Sequence, residues 1–318
     1  MDIGVTMPTR GPLATRDAIA TLAKRAEEQG FAHLSVADHL VVPRSIDSRY
    51  PYSATGAWPG GASGACVDQF TLLAFLAAIT TRPRLVSAVT VVPYRGAVHT
   101  AKIVATIDVL SLGRAVFGVG AGWMREEFEA LNTPPFEERG RVTDEWLQAC
   151  KLLWTEDDPR FEGRHLRFAD ISFLPKPVQQ PHPPIWVGGE SQPALRRTAR
   201  YGDTWFPIGN NPHHPLDTVA RFKDGLARLH QLAEKHGRDP ATIGLAFYAN
   251  WFDETKTVRL DDGARHILTG TAAEVAEDIA ALAELGVADL VLNTQRDTLE
   301  QSLACMQYIA DEIRPLTT

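Results

Sequence analysis

Few cysteines and no long apolar run restrict the kinds of protein that this 318-residue chain can be. Its three cysteines, Cys66, Cys150 and Cys305, are far apart and form no CxxC pair, which argues against a disulfide framework and a thiolate zinc site. The longest apolar run, 72–79, is far shorter than the roughly 20 residues that a membrane-spanning helix requires. The first residues, MDIGVTMP, contain no basic segment followed by an apolar one. We therefore expect a cytoplasmic protein with no membrane partner.

Positive charge is also scarce. Lysine and arginine total 32 against 39 aspartate and glutamate residues, so the formal net charge at pH 7 is −7. Surfaces that bind nucleic acid need a clustered excess of lysine and arginine, so we expect no nucleic-acid partner. Hydrophobic residues make up 44% of the chain and charged residues 22%, which is the balance of a globular domain with a large core.

Short runs rich in β-branched residues recur along the chain, and each is followed by a helical pattern. The predicted strands are 2–7, 33–37, 85–92, 115–119, 185–187, 203–206, 243–250 and 289–292. The predicted helices are 15–29, 68–80, 100–112, 143–155, 192–201, 217–236, 273–285 and 298–313. Eight βα units in one chain predict a single α/β domain, a (β/α)₈ TIM barrel, over residues 1–318.

Local signals at the ends of the helices agree with this reading. Thr15 can cap the first helix, and Gly30 after it can adopt a left-handed conformation. Gly113 and Gly286 stand between a helix and the next strand, where the turn at the bottom of a barrel needs a positive φ.

Two connections are longer than a βα turn requires, and we treat them as insertion loops at about 40–67 and 156–184. The first contains Tyr50, Tyr52 and Trp58 and is a candidate lid over the active site. Together with Trp123 and Trp251 at other strand ends, these rings would form an aromatic, mostly apolar substrate pocket. Any one of them could equally pack within the lid instead.

The second predicted strand ends in Asp38 and His39, at the barrel rim where catalytic groups of this fold lie. A carboxylate next to an imidazole could move a proton near neutral pH. The plainer alternative is that Asp38 fixes a loop while His39 is a buried residue with its hydrogen bonds satisfied.

Glycines mark the ends of the fourth and fifth predicted strands. The segment 117–123 has three glycines that would let a planar ligand approach the backbone, but its GxGxG lacks the third glycine of a dinucleotide-binding motif. The segment Gly188-Gly189-Glu190-Ser191 precedes a helix, and free N–H groups there could bind a phosphate. Against this, Glu190 adds a negative charge, and Gly-Gly turns occur in many proteins without a ligand.

In this order, the motifs resemble the bacterial-luciferase-like family and, within it, the branch of coenzyme F420-dependent oxidoreductases. The similar segments include VADHLVVP, SAVTVVPYR, AVFGVGAGWMREEFEAL and PIWVGGES. The resemblance covers most of residues 1–210, whereas the C-terminal third is similar only in architecture. It implies a TIM barrel that holds a flavin or deazaflavin ring across its top, and it also implies a homodimer.

The resemblance further implies a non-proline cis peptide bond at Ala88–Val89 that supports the ring. By position in the motifs, the implied cofactor-binding residues are Asp38, Ser87, Ala88, Val89, Gly120, Glu126, Gly188, Gly189, Glu190 and Ser191. Trp123 occupies a position where some relatives carry an acid, so their acid–base roles do not transfer to it. Arg95-Gly96-Ala97 replaces a segment in which relatives often have proline, which leaves the start of the third helix open.

The function implied is that of a coenzyme F420-dependent oxidoreductase that transfers a hydride between the cofactor and a small organic substrate. His39, oriented by Asp38, would handle the accompanying proton. The acidic tail of this deazaflavin would need a basic channel, for which the available arginines are Arg44, Arg49, Arg95, Arg196 and Arg197.

Three alternatives stand beside this function. An FMN-dependent luciferase-like monooxygenase, using reduced flavin and oxygen, would need the same barrel and the same phosphate turn. A metal-dependent hydrolase would need clustered ligands such as HxH, but His33 and His39 are six residues apart and we expect no metal site. A barrel that binds a ligand without catalysis would retain the fold but show no turnover.

Overall fold

Eight parallel strands close into a barrel in the computed structural model, which describes residues 1–59 and 64–317. The strands are β1 (Asp2–Thr6), β2 (His33–Val36), β3 (Arg84–Ser87, continued at Thr90–Val91), β4 (Ala115–Gly120), β5 (Ile185–Gly188), β6 (Thr204–Phe206), β7 (Gly244–Ala249) and β8 (Val287–Leu292). Each strand pairs in parallel with the next in the chain. Pairing of β8 with β1, from Asp289 beside Asp2 to Leu292 beside Val5, closes the barrel.

Helices surround the strands. They are α1 (Arg16–Glu28), α2 (Gln69–Ile79), α3 (Ala97–Leu110), α4 (Arg125–Ala130), α5 (Arg139–Thr155), α6 (Gln192–Tyr201), α7 (Val219–Lys235), α8 (Ala272–Glu284) and α9 (Leu299–Tyr308). A π-helical turn, Ile309–Ile313, extends α9. None of the helices in the described ranges has the length and apolar character needed to cross a membrane.

The TIM barrel predicted from the sequence is confirmed, with small differences in the helix boundaries. The third helix begins at Ala97 instead of residue 100, because Gly96 takes the extended conformation that starts it. The additional short elements include α4 and an antiparallel pair of Phe161–Glu162 with Arg167–Phe168 inside the second insertion loop. Residues 60–63 of the first insertion loop lie outside the described residues.

The predicted helix-end signals are also confirmed. The side chain of Thr15 accepts a hydrogen bond from the N–H of Ala18 and caps α1. Gly30, Gly113 and Gly286 have φ values of 74°, 84° and 92°, a region that glycine enters without steric cost. These turns set the exit of each helix towards the next strand at the bottom of the barrel.

Apolar side chains fill the middle of the barrel. The buried residues of this inner cluster are Val86, Val116, Trp186, Phe206, Ala246 and Val291. A larger apolar core lies between the strands and the outer helices. Because the middle is packed, a ligand can enter only at an end of the barrel, and in this fold the working groups lie at the C-terminal ends of the strands.

Candidate active site

A cavity of about 770 Å³ lies at the C-terminal ends of the strands, where the sequence predicts the site. Many of the predicted residues line it: Asp38, His39, Tyr50, Tyr52, Trp58, Ala88, Val89, Gly120, Trp123, Gly188, Gly189, Glu190 and Ser191. The cis peptide bond at Ala88–Val89 is present, as the resemblance implies. Segments far apart in the sequence therefore meet around one cavity.

Three predicted residues are not part of the cavity wall. The Ser87 hydroxyl is buried and donates to the Gly118 carbonyl at 2.8 Å. The Glu126 carboxylate instead accepts hydrogen bonds from the N–H groups of the first insertion loop, at 2.8 Å from Asp47. Trp251 donates its indole N–H to the Ile267 carbonyl and packs against the rings of Phe247 and His266.

The partner of His39 differs from the prediction. Nδ1 of His39 lies 2.7 Å from Oε2 of Glu127, a residue on α4 whose side chain is fully buried. The expectation that Asp38 orients His39 is wrong, because both Asp38 oxygens are bound elsewhere. Successive side chains of an extended segment point in different directions, so neighbours in the sequence need not touch.

Glu127 is the centre of a buried hydrogen-bond cluster. It also accepts from the Tyr94 hydroxyl at 2.8 Å and from the N–H groups of Leu40 at 2.7 Å and Val41 at 3.2 Å. Burial acts to raise the pKa of Glu127, but hydrogen bonds from His39, Leu40 and Tyr94 outweigh it, so its pKa lies below its ordinary value. The ionised carboxylate holds a proton on Nδ1 of His39, which leaves Nε2 for exchange with the cavity.

Asp38 has a structural connection to β3 and α2. Its carboxylate accepts two hydrogen bonds from Arg95, both at 2.9 Å, and one from the N–H of Val91 at 2.9 Å. Arg95 also donates to Asp68, the capping residue of α2, at 3.0 Å. Although burial acts to lower the pKa of Arg95, its bonds to Asp38 and Asp68 raise it. The Asp38 carboxylate is thus paired with the Arg95 guanidinium and fixes the rim of the barrel.

Aromatic rings of the first insertion loop surround His39. Its ring centre lies 4.7 Å from that of Trp58, which in turn lies 6.0 Å from that of Trp123. The ring centre of Tyr50 lies 5.2 Å from that of Trp123 and 5.5 Å from that of Tyr52. The predicted aromatic residues, Trp251 excepted, therefore form one cluster in the cavity wall beside the histidine.

The turn after β5 has the features expected of an anion site. Gly189 has a φ of 103°, and Ser191 begins α6 without using its hydroxyl as a cap. The Glu190 carboxylate accepts from the N–H groups of Ile208 at 2.6 Å and Gly209 at 2.9 Å. Burial raises the pKa of Glu190 despite these bonds, which favours its neutral form.

The expected basic channel is only partly present. Arg95 is bound to Asp38, and Arg197 donates to Asp144 at 2.6 Å. Arg44 and Arg196 are exposed and are not part of the cavity wall, so among the five only Arg49 remains as a cavity residue without a carboxylate partner in the described structure. Two arginines that the sequence did not single out, Arg10 and Arg139, also line the cavity.

The cavity wall fits a flat heterocycle with polar edges. A Cβ atom on Gly120 would lie 2.7 Å from Val89 Cγ2, and one on Gly188 would lie 2.9 Å from Val89 Cγ1, so glycine is required where these strands approach Val89. Ser35 and Asn250 each place in the wall a buried oxygen without a hydrogen-bond partner in the described structure. Such oxygens are costly unless a ligand or water satisfies them.

A closed parallel barrel with polar groups converging at its C-terminal rim is the architecture of a barrel enzyme. Residues 1–252 match the sequence model of the luciferase-like monooxygenases, and the chain belongs to this family of oxidoreductases and monooxygenases.

Known relatives use two kinds of cofactor. An FMNH2-dependent dimethylsulfone monooxygenase of Pseudomonas putida is 31% identical, over 78% of this chain and 78% of its own. The solved monooxygenase RslO1 of Streptomyces bottropensis superposes with a TM-score of 0.74 at 24% identity, covering 100% of both chains. The coenzyme F420-dependent tetrahydromethanopterin reductase of Methanopyrus kandleri gives 0.70 at 16% identity, covering 100% of this chain and 99% of the other. The two solved structures support the fold, and family membership is compatible with either cofactor.

Proposed function

We propose that the protein is a monooxygenase that uses reduced FMN and oxygen to oxidise a small organic substrate. The resemblance found in the sequence implied coenzyme F420, and five arginines were available to bind its acidic tail. Four of these arginines do not form the channel that such a tail would need. Arg95 and Arg197 are paired with carboxylates, and Arg44 and Arg196 lie outside the cavity wall. FMN has one phosphate and needs no such channel.

The cavity residues fit FMN. The turn Gly188–Ser191, at the N-terminus of α6, would take the phosphate through backbone N–H groups and the free Ser191 hydroxyl. Ala88 and Val89 would support one face of the ring, with Gly120 and Gly188 leaving room beside them. Ser35 and Asn250 could satisfy polar ring atoms with their unpartnered oxygens.

The chain's own residues would control the proton and the water content of the site. When bound, reduced FMN would supply two electrons to oxygen, of which one atom enters the substrate and the other leaves as water. His39 would donate or accept a proton at Nε2, while Glu127 holds the proton on Nδ1 and fixes the ring. The cluster of Tyr50, Trp58 and Trp123 would cover the substrate and exclude bulk water.

Oxygen uptake tests this function. Reduced FMN would be supplied by a separate flavin reductase, and candidate substrates would begin with dimethyl sulfone, the compound named for the Pseudomonas relative. We expect oxygen uptake that depends on both the protein and a substrate. Substrate-dependent oxidation or reduction of coenzyme F420, with no uptake of oxygen in the FMN assay, would instead establish the second candidate.

A specific observation supports that second candidate, the F420-dependent oxidoreductase. Arg10, Arg49 and Arg139 all line the cavity and carry positive charge into it. They could bind the acidic tail of coenzyme F420 on a different side of the cavity from the one expected from the sequence. The predicted homodimer and cytoplasmic location stay predictions under either function.

A further inference from the structure

Three side chains that can bind a metal meet at the N-terminal end of the barrel, opposite the cavity. Asp2 begins β1, His33 begins β2, and Asp289 lies on β8 beside Asp2 in the strand register. One ligand atom from each of the three lies within 4.8 Å of the others. The sequence argument against a metal considered ligands within one strand, whereas this cluster draws one ligand from each of three adjacent strands.

His33 is the buried member of the cluster. Its side chain is fully buried, and neither ring nitrogen makes a hydrogen bond with good geometry to any described residue. Nε2 nevertheless lies 2.9 Å from Oδ1 of Asp289. Two ligand atoms on a tetrahedral ion with bonds near 2.1 Å lie about 3.4 Å apart, so a small outward shift of the two side chains would admit an ion between them. The contact thus brings together two potential ligand atoms that no aligned hydrogen bond holds.

Packing fixes the imidazole in this position. A Cβ atom on Gly4 would lie 2.4 Å from the Cβ of His33, so the neighbouring strand must carry glycine there. On its other side, the His33 ring lies 5.5 Å from the Trp186 ring, centre to centre. The His33 imidazole is thus already held in position, which lowers the entropic cost of binding an ion.

The net charge of the groups at this end of the barrel is negative, which favours a cation. Asp2 and Asp289 contribute two negative charges, and the Arg84 guanidinium interacts electrostatically with both of them. Arg84 forms no ion pair within 4.0 Å with any described carboxylate, so it offsets this charge only from a distance. A bound divalent ion would balance the remaining negative charge.

We propose that Asp2, His33 and Asp289 bind one divalent transition-metal ion of the zinc class. Imidazole with carboxylates is a ligand set that such ions accept, and Asp2 is exposed, so solvent can complete the coordination. The ion would tie the beginnings of β1 and β2 to β8. Because it lies at the end of the barrel opposite the cavity, its role is structural.

Zinc titration of the chelator-treated full chain tests the proposal. We expect calorimetry to give one zinc ion per chain and zinc to raise Tm, because an ion bound only by the folded state stabilises it. His33→Gln and Asp289→Asn are expected to weaken zinc binding by at least about tenfold. His236→Gln, at an exposed histidine after α7, is the control and is expected to bind zinc like the wild type.

Two results would overturn the site. One is the absence of saturable zinc binding, and the other is equal binding by the wild type and by both cluster variants, which would place the zinc on other side chains. If His33→Gln and Asp289→Asn prevent folding, the test uses Asp2→Asn, because Asp2 is exposed. Weaker zinc binding by Asp2→Asn supports the site, and unchanged zinc binding overturns it. The test measures neither cofactor binding nor turnover, so its result does not depend on the proposed function.

Discussion

Nδ1 of His39 lies 2.7 Å from Oε2 of Glu127, and this contact joins the end of β2 to α4 across 88 positions of the chain. The contact is buried, and it gives the imidazole a fixed orientation and a fixed tautomer at the cavity wall. Asp38, its neighbour in the sequence, instead holds Arg95 and the end of β3.

Glu127→Gln tests the role of this contact in turnover. The amide can still accept from the N–H of Leu40, but it no longer offers Nδ1 of His39 a charged acceptor, so we expect kcat to fall by about ten- to a hundredfold with a smaller change in KM. Steady-state kinetics with substrate-dependent oxygen uptake as the signal measures both constants.

Glu126→Gln is the matched control, because this neighbouring carboxylate bonds to the N–H groups of Asp47 and Ser48 outside the cavity wall. We expect less than a twofold change in kcat. A loss as large as that of Glu127→Gln would mean that Glu126 acts at the cofactor, as the family resemblance implies.

Arg95→Met is expected to destabilise the fold. It leaves the buried Asp38 carboxylate without its cation, which typically costs about 3–5 kcal/mol in the free energy of unfolding. Urea denaturation measures this free energy of unfolding. The comparison is Arg125→Met, whose pair with Glu137 is largely exposed and screened by water, so we expect a much smaller loss. Equal losses in the two variants would show that Asp38 does not depend on Arg95.

Glu190 gives a pH dependence of stability with a definite sign. Burial raises its pKa above the ordinary value of 4.5, so the protonated acid is favoured in the fold, and this stabilisation is lost as the pH rises through the raised pKa. Glu190→Gln avoids the loss while keeping an oxygen for the N–H groups of Ile208 and Gly209. Its Tm relative to the wild type should therefore increase from about pH 4 to pH 7. A difference in Tm that is constant or decreases over this range would contradict the prediction.

Gly118→Ala tests the close approach of β3 and β4. The new Cβ would lie 1.8 Å from the backbone oxygen of Ser87, so the strands must separate, and we expect a loss of about 3 kcal/mol or more in unfolding free energy. Gly140→Ala on α5 is the control, because the nearest atom to its Cβ is the end of the Arg197 side chain at 3.5 Å. That variant should be as stable as the wild type or slightly more so. Similar losses in both would mean that the strands at Gly118 can adjust.

The barrel could be predicted because its signals are local. Each strand and helix has its own pattern of apolar residues, and caps such as Thr15 and turn glycines such as Gly30 mark the boundaries. The strand ends then identify the rim, where His39 and Ser191 do lie on one cavity. Neither step requires knowledge of a contact between distant side chains.

The hydrogen-bond partners could not be predicted, because each depends on such a contact. The sequence presents Glu126 and Glu127 as equivalent acids, and only the direction of α4 turns Glu127 inward to His39 while Glu126 meets the loop. Arg95 looked like a free cation, since its two carboxylate partners lie 57 and 27 positions away. The sequence signal for Glu127 was limited to a carboxylate after a glycine-rich strand.

Equilibrium titration of the purified protein with FMN and with coenzyme F420 tests the central claim most directly. We predict saturable binding of one FMN per chain and no saturable binding of coenzyme F420. Gly188→Val, which would press side-chain atoms against Val89, should weaken FMN binding by at least about tenfold while circular dichroism stays that of the wild type. Saturable binding of coenzyme F420 by the wild type, with no binding of FMN, would contradict the account.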